Sequence, residues 1–198
     1  MGETPLRVVV VGDELAAGVG DPRALGWVGR VAARTLTADP LTVLTLAVPG
    51  ETSSALGARW EDETVRRLAP DADNRLVVAL GRADLTSGLS LARSRLNLAN
   101  VLDVAEQRHL PTFVVGPPPG APADGPRIQD LSAAWADVAT RRRVPYVDTY
   151  GPLAAHEQWL SDLAAHHGVP GQAGYGLMAW LVLHTGWHAW LGVPDDTP

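Results

Sequence analysis

The chain of 198 residues contains no cysteine and no lysine. Without cysteine, neither a disulfide framework nor a thiolate metal site can form. Without lysine, arginine carries all the basic side-chain charge. Set beside the heavy use of alanine and glycine, this reads as the bias of a GC-rich genome rather than a binding signal. Positive charge is not in excess either. The net charge is −6, which leaves no broad electrostatic footprint for nucleic acid. No apolar run reaches the ~18 residues of a spanning helix. The first strand pattern begins at Leu6, too early to leave room for the charged and apolar regions of a signal peptide. These absences lead us to expect a cytoplasmic protein with no membrane span and no nucleic-acid partner.

What is present is an alternation of strand and helix patterns along the whole chain. Apolar, β-branched runs occur at Leu6–Val11, Leu41–Ala47, Arg75–Leu80, Thr112–Val115 and Pro145–Val147. Unbroken runs of this kind suit strands covered on both faces, as in a parallel sheet between helices. Helical patterns lie between and after them at Gly26–Thr37, Ser53–Leu68, Leu91–His109, Arg127–Arg142 and Ala173–His184. Together they predict a three-layer α/β/α sandwich around a five-stranded parallel sheet, in the flavodoxin-like order 2-1-3-4-5. The site is then expected at the switch point, beyond the C-terminal ends of the strands. The stretch Pro117-Pro118-Pro119-Gly120-Ala121-Pro122 reads as a loop after the fourth strand rather than a linker, because strand and helix patterns resume on both sides. There is no internal repeat, and residues 1–198 read as one domain.

The strand ends carry the candidate chemistry. Val8-Val9-Val10-Val11 runs into Gly12-Asp13-Glu14-Leu15, with Gly18, Gly20, Asp21 and Gly26-Trp27 following. A strand that ends in Gly-Asp and turns through small residues into a helix lifts one side chain to the top of the sheet. A second block reads Ala47-Val48-Pro49-Gly50-Glu51-Thr52-Ser53, and a third Leu80-Gly81-Arg82-Ala83-Asp84. The last reads His166-His167-Gly168-Val169-Pro170-Gly171-Gln172-Ala173-Gly174-Tyr175, ahead of the C-terminal helical pattern.

In this order, these blocks resemble the SGNH hydrolases, also called the GDSL esterase/lipase family, over nearly the whole chain. The resemblance implies the SGNH-hydrolase fold and an esterase-like scaffold. In that family the Gly-Asp-Ser-Leu serine attacks an acyl carbon, a histidine in the last block takes its proton, and an aspartate three residues earlier orients the histidine. The oxyanion is held by the serine N–H, the second-block glycine N–H and the third-block asparagine side chain. Matched residue by residue, the serine position holds Glu14, the asparagine position Ala83 and the aspartate position His167. Pro170 directly follows Val169 where the histidine intervenes in the family. Only the backbone donors at Glu14 and Gly50 carry over, together with the supporting carboxylates Asp13 and Asp84. The resemblance therefore implies an esterase-like protein in which ester hydrolysis is weak or absent, since loss of any triad member costs orders of magnitude.

Two roles are open for Glu14. Its carboxylate can accept hydrogen bonds from the old oxyanion-hole amides, that of Gly50 included, with Arg82 beside it. Alternatively it can serve as nucleophile or general base on a small molecule, with His166 or His167 as partner. A non-catalytic small-molecule binder and a partner subunit are further possibilities. Ser53, Ser54 and Ser87 are other hydroxyls near the blocks, and in such places serines usually cap helices or make turns. His166 and His167 have Asp162 nearby, but spacing supplies no third ligand, so neither a metal site nor a cofactor is expected. The segment carrying Trp180, Trp187 and Trp190 is expected to pack the last helix onto the sheet, and it is also a candidate homodimer contact.

Overall fold

The computed structural model describes residues 4–38, 40–120 and 125–195. Five parallel strands form one sheet in the order β2-β1-β3-β4-β5. They are β1 (Leu6–Gly12), β2 (Leu41–Ala47), β3 (Asp73–Ala79), β4 (Thr112–Val115) and β5 (Tyr146–Val147). Strand β1 is central, pairing with β2 through Gly12↔Ala47 and with β3 through Gly12↔Ala79. This register explains the residue at position 12. A Cβ there would lie 2.0 Å from the Ala79 carbonyl oxygen, so only glycine lets the two strand ends run side by side.

The four valines of β1 divide between two cores because alternate side chains leave opposite faces of a strand. Val8 and Val10 join Val77, Phe113, Val115 and the apolar faces of α2 (Gly26–Arg34), α8 (Glu157–Ala165) and α9 (Gln172–Val182). Val9 and Val11 join Leu76, Val78, Val114 and side chains of α3 (Ser53–Val65), α5 (Leu91–Gln107) and α6 (Gly125–Arg141). All four valines are buried, each worth on the order of 1.5–3 kcal/mol against exposure. This double burial is why the run is unbroken rather than alternating.

The expected architecture is present, and several bounds differ. Strand β3 begins at Asp73 and stops at Ala79, and β5 contributes only Tyr146 and Val147. Helix α3 ends at Val65, well before Leu68, and α9 ends at Val182. Four short helices lie outside the helical patterns read from the sequence: α1 (Glu14–Ala17), α4 (Ala83–Thr86), α7 (Tyr150–Leu153) and α10 (His188–Leu191). Helix α8 was not anticipated either. It buries only Trp159 and Leu163, four positions apart, which is too sparse a stripe to stand out beside the longer helices. Pro117–Gly120 form a loop after β4 as expected, and Ala121 and Pro122 lie outside the described residues.

The last tryptophans divide in role. Trp187 meets Phe113 edge-on at 5.6 Å, and Trp190 lies 5.1 Å from the same ring, so both pack the chain's end onto the sheet. Trp180 instead faces solvent at 56% exposure and stacks on His184 at 4.2 Å. Among the described residues no helix is long and apolar enough to cross a membrane.

Candidate active site

The C-terminal ends of β1 and β3 present the first and third blocks side by side. Asp13 leaves β1 as the cap of α1, its Oδ1 accepting from the Leu15 amide at 3.0 Å. Its Oδ2 accepts from the Gly81 amide at 2.5 Å and so ties the elbow to the end of β3. Asp13 is fully buried. Burial, and then the neighbouring Glu14 charge, push its carboxyl up to about 7 in spite of the amide hydrogen bonds that favour the ionised form.

Glu14 is the first residue of α1 and is half-buried. Its Oε2 accepts a hydrogen bond from the Gly50 amide at 2.7 Å. Gly50 holds a left-handed φ of 74°, and that backbone turn aims its N–H at the elbow. Of the donors named from the sequence, the second-block glycine therefore converges on position 14. Ala83 is buried at the start of α4, where it offers only a methyl group.

Asp84 has a different task. Its Oδ1 accepts from the Ser53 amide at 2.7 Å and its Oδ2 from the Ser53 hydroxyl at 2.6 Å, pinning the start of α3 to the third block. Asn97 donates to the hydroxyls of both Ser53 and Ser54 at 2.9 Å. Ser53 is also buried. These serines are structural, and neither they nor Ser87 line the cleft.

The cleft is narrow and open, with a cavity of about 30 Å³ at its base. Glu14, Leu15, Gly81 and Arg82 form one wall. The proline loop at Pro118–Gly120, Trp159 and Leu163 of α8, and Gly168–Pro170 complete it. The indole of Trp159 donates to the Pro119 carbonyl at 3.0 Å, which fixes the loop against α8. Arg82 lies against Gly120, where an added Cβ would come within 3.0 Å of its Nη1. Among the described residues its guanidinium makes no ion pair with Glu14, although both groups line the cleft.

Neither histidine is brought to Glu14. The His166 ring is turned back onto α8, with Nδ1 2.8 Å from the Asp162 carbonyl oxygen and 3.4 Å from its Oδ1. His167 is exposed with a left-handed φ of 56°. The cleft takes Gly168, Val169 and Pro170 from this loop instead.

Asp162 is the residue that reading the sequence undervalued. Its Oδ2 accepts from the Gly171 and Gly174 amides at 2.6 and 2.9 Å, capping α9 from a distance. The available signal was negative: Pro170-Gly171-Gln172 begins a helix without a local Ser, Thr, Asp or Asn cap, so its first amides need an acceptor from elsewhere. Tyr175, buried in α9, donates to the Val19 carbonyl at 2.7 Å and joins this helix to the loop after the elbow; burial raises its phenol above the ordinary range. A second clamp holds the same loop. Asp21 accepts from the Gly26 amide at 3.0 Å and pairs with Arg30, whose hydrogen bond lowers the Asp21 carboxyl to about 2.

The model of the GDSL-like lipase/acylhydrolase family matches residues 10–184. Among solved structures, a lipase/acylhydrolase from Enterococcus faecalis is similar with a TM-score of 0.75 and 21% identity, over 98% of this chain and 100% of that one. Axe2, an acetylxylan esterase from Geobacillus stearothermophilus, gives 0.74 at 16% identity, covering 97% and 96%. The psychrotrophic esterase EstA from Pseudoalteromonas sp. gives 0.69 at 16% identity, covering 94% and 98%. At these identities the likeness concerns the fold. No curated protein sequence matches the chain.

Proposed function

The chain belongs to the GDSL-like lipase/acylhydrolase family, and from that premise we propose that it is a member in which ester hydrolysis is weak or nil and the elbow carboxylate closes the oxyanion hole. The observation that carries this reading is the 2.7 Å hydrogen bond from the Gly50 amide to Glu14 Oε2.

Acyl transfer needs a hydroxyl nucleophile, a base in reach of it, and donors aimed at the developing oxyanion. Position 14 supplies a carboxylate. The Gly50 donor is already engaged by that carboxylate, whose negative charge opposes a second anion in the same place. A donor missing at position 83 would by itself lower the rate by about 10²–10³. Among the described residues no imidazole lines the cleft to act as base. The serines nearest the blocks, Ser53 and Ser54, are held by Asp84 and Asn97. On this reading the scaffold and cleft persist as a place to hold a small molecule.

A second reading has one observation in its favour: Glu14 lines the open cleft and so could meet a substrate as nucleophile or general base. Turnover of short p-nitrophenyl esters separates the two. The proposal expects at most a weak rate above buffer, the same for the native chain and for Glu14→Gln. A rate that Glu14→Gln abolishes moves Glu14 into catalysis. A rate typical of an efficient esterase that survives this substitution sinks both readings. Exposed Trp180 remains the candidate homodimer contact. Light scattering of Trp180→Ala against the native chain tests it, with loss of a dimer as the supporting result.

A further inference from the structure

We propose that the cleft binds a small zwitterion, its anionic end at Arg82 and its ammonium end at Glu14. This rests on the reading that Glu14 closes the hole rather than performing acyl transfer. Three observations support it. Glu14 uses Oε2 for the Gly50 amide, and among the described residues its other oxygen has no hydrogen-bond partner. Arg82 lies against Gly120 on the same cleft, and among the described residues its guanidinium has neither a hydrogen bond nor an ion pair. The two charges, opposite in sign, do not pair with each other among the described residues, and the cleft they share is also lined by the apolar side chains of Leu15, Pro119, Trp159 and Val169.

Charge complementarity then selects the ligand class. A simple carboxylate placed in the cleft satisfies Arg82 but sits beside Glu14. A simple amine satisfies Glu14 but sits beside Arg82. Each is penalised by the like charge, whereas a molecule with separated ends of opposite sign satisfies both. The guanidinium is a planar fork suited to a carboxylate or another planar or tetrahedral anion. An apolar spacer matches the walls.

The test is calorimetric and NMR titration of the native chain with glycine, β-alanine, γ-aminobutyrate and ε-aminocaproate, each beside the carboxylate and the amine of equal length. At least one of the amino acids is expected to bind, to shift the Gly50 and Gly81 amides and the Trp159 indole N–H, and to exceed both single-charge analogues by about tenfold or more, the factor that corresponds to 1.4 kcal/mol. Arg82→Gln should erase its advantage over the amine, and Glu14→Gln, which keeps an acceptor for Gly50, its advantage over the carboxylate. Absence of binding across the series, or equal binding of a single-charge analogue, overturns the inference. Because the comparison within the native chain is already decisive, a variant that fails to fold does not rescue it. Failure here with esters still unhydrolysed leaves the closed-hole reading standing, whereas ester turnover would remove that reading itself.

Discussion

Glu14 Oε2 accepts the Gly50 amide at 2.7 Å across 36 residues of sequence, joining the end of β1 to the turn after β2. The contact ties a side chain at the top of the sheet to a backbone donor that the family scaffold aims at a reacting oxygen. It is also open to water, since Gly50 is exposed. Both properties bear on what happens when the carboxylate is removed.

Glu14→Ala should lower stability by about 0.5–1.5 kcal/mol, the net worth of one hydrogen bond whose orphaned donor can turn to water. Glu14→Gln should cost less, because its amide oxygen still accepts from Gly50. Chemical denaturation at neutral pH provides the check. A midpoint for Glu14→Ala equal to or above the native value would remove the structural role and favour a carboxylate reserved for chemistry.

Glu14→Ser alone should not create an esterase. The new hydroxyl would stand in the cleft without a base, because His166 is turned onto Asp162 and His167 faces solvent. Adding a histidine between Val169 and Pro170, together with His167→Asp and Ala83→Asn, should give measurable hydrolysis of short acyl esters. Full activity from the single change would mean that an imidazole reaches the elbow after all.

The elbow should also leave a mark on the pH dependence of stability. The Asp13 carboxyl is raised to about 7 by burial and then by the Glu14 charge, above an unfolded value of roughly 3.9. The folded state therefore holds this proton more tightly than the unfolded chain. The stabilisation is complete below the unfolded value and is lost as pH rises through about 7. Native protein should lose stability across that window relative to Asp13→Asn. Glu14→Gln removes the repulsion that raises the Asp13 carboxyl, so the loss should move to lower pH. Denaturation midpoints measured from pH 4 to 8 decide the sign.

How far the sequence reveals this arrangement depends on how local each cause is. The valines of β1 declare a doubly covered strand because their neighbours along the chain suffice to show it, whereas Gly50 is legible as a donor only through the match of the second block, and its left-handed backbone is not. The closing of Glu14 onto Gly50 could be expected once the blocks were matched, since the scaffold fixes where that amide points. The orientation of His166 could not. It depends on Asp162, whose carboxylate is drawn to the uncapped start of α9, and on the existence of α8, whose buried stripe is only Trp159 and Leu163. Arg82 likewise lies against Gly120 of the proline loop, a placement that no local pattern around Gly81-Arg82-Ala83 announces.

The most direct measurement is the intact mass of the native protein after exposure to a serine-directed fluorophosphonate. With a carboxylate at position 14 and the Gly50 donor engaged by it, the account predicts an unchanged mass at every time point. A stoichiometric adduct, located on any serine of the chain, would contradict it.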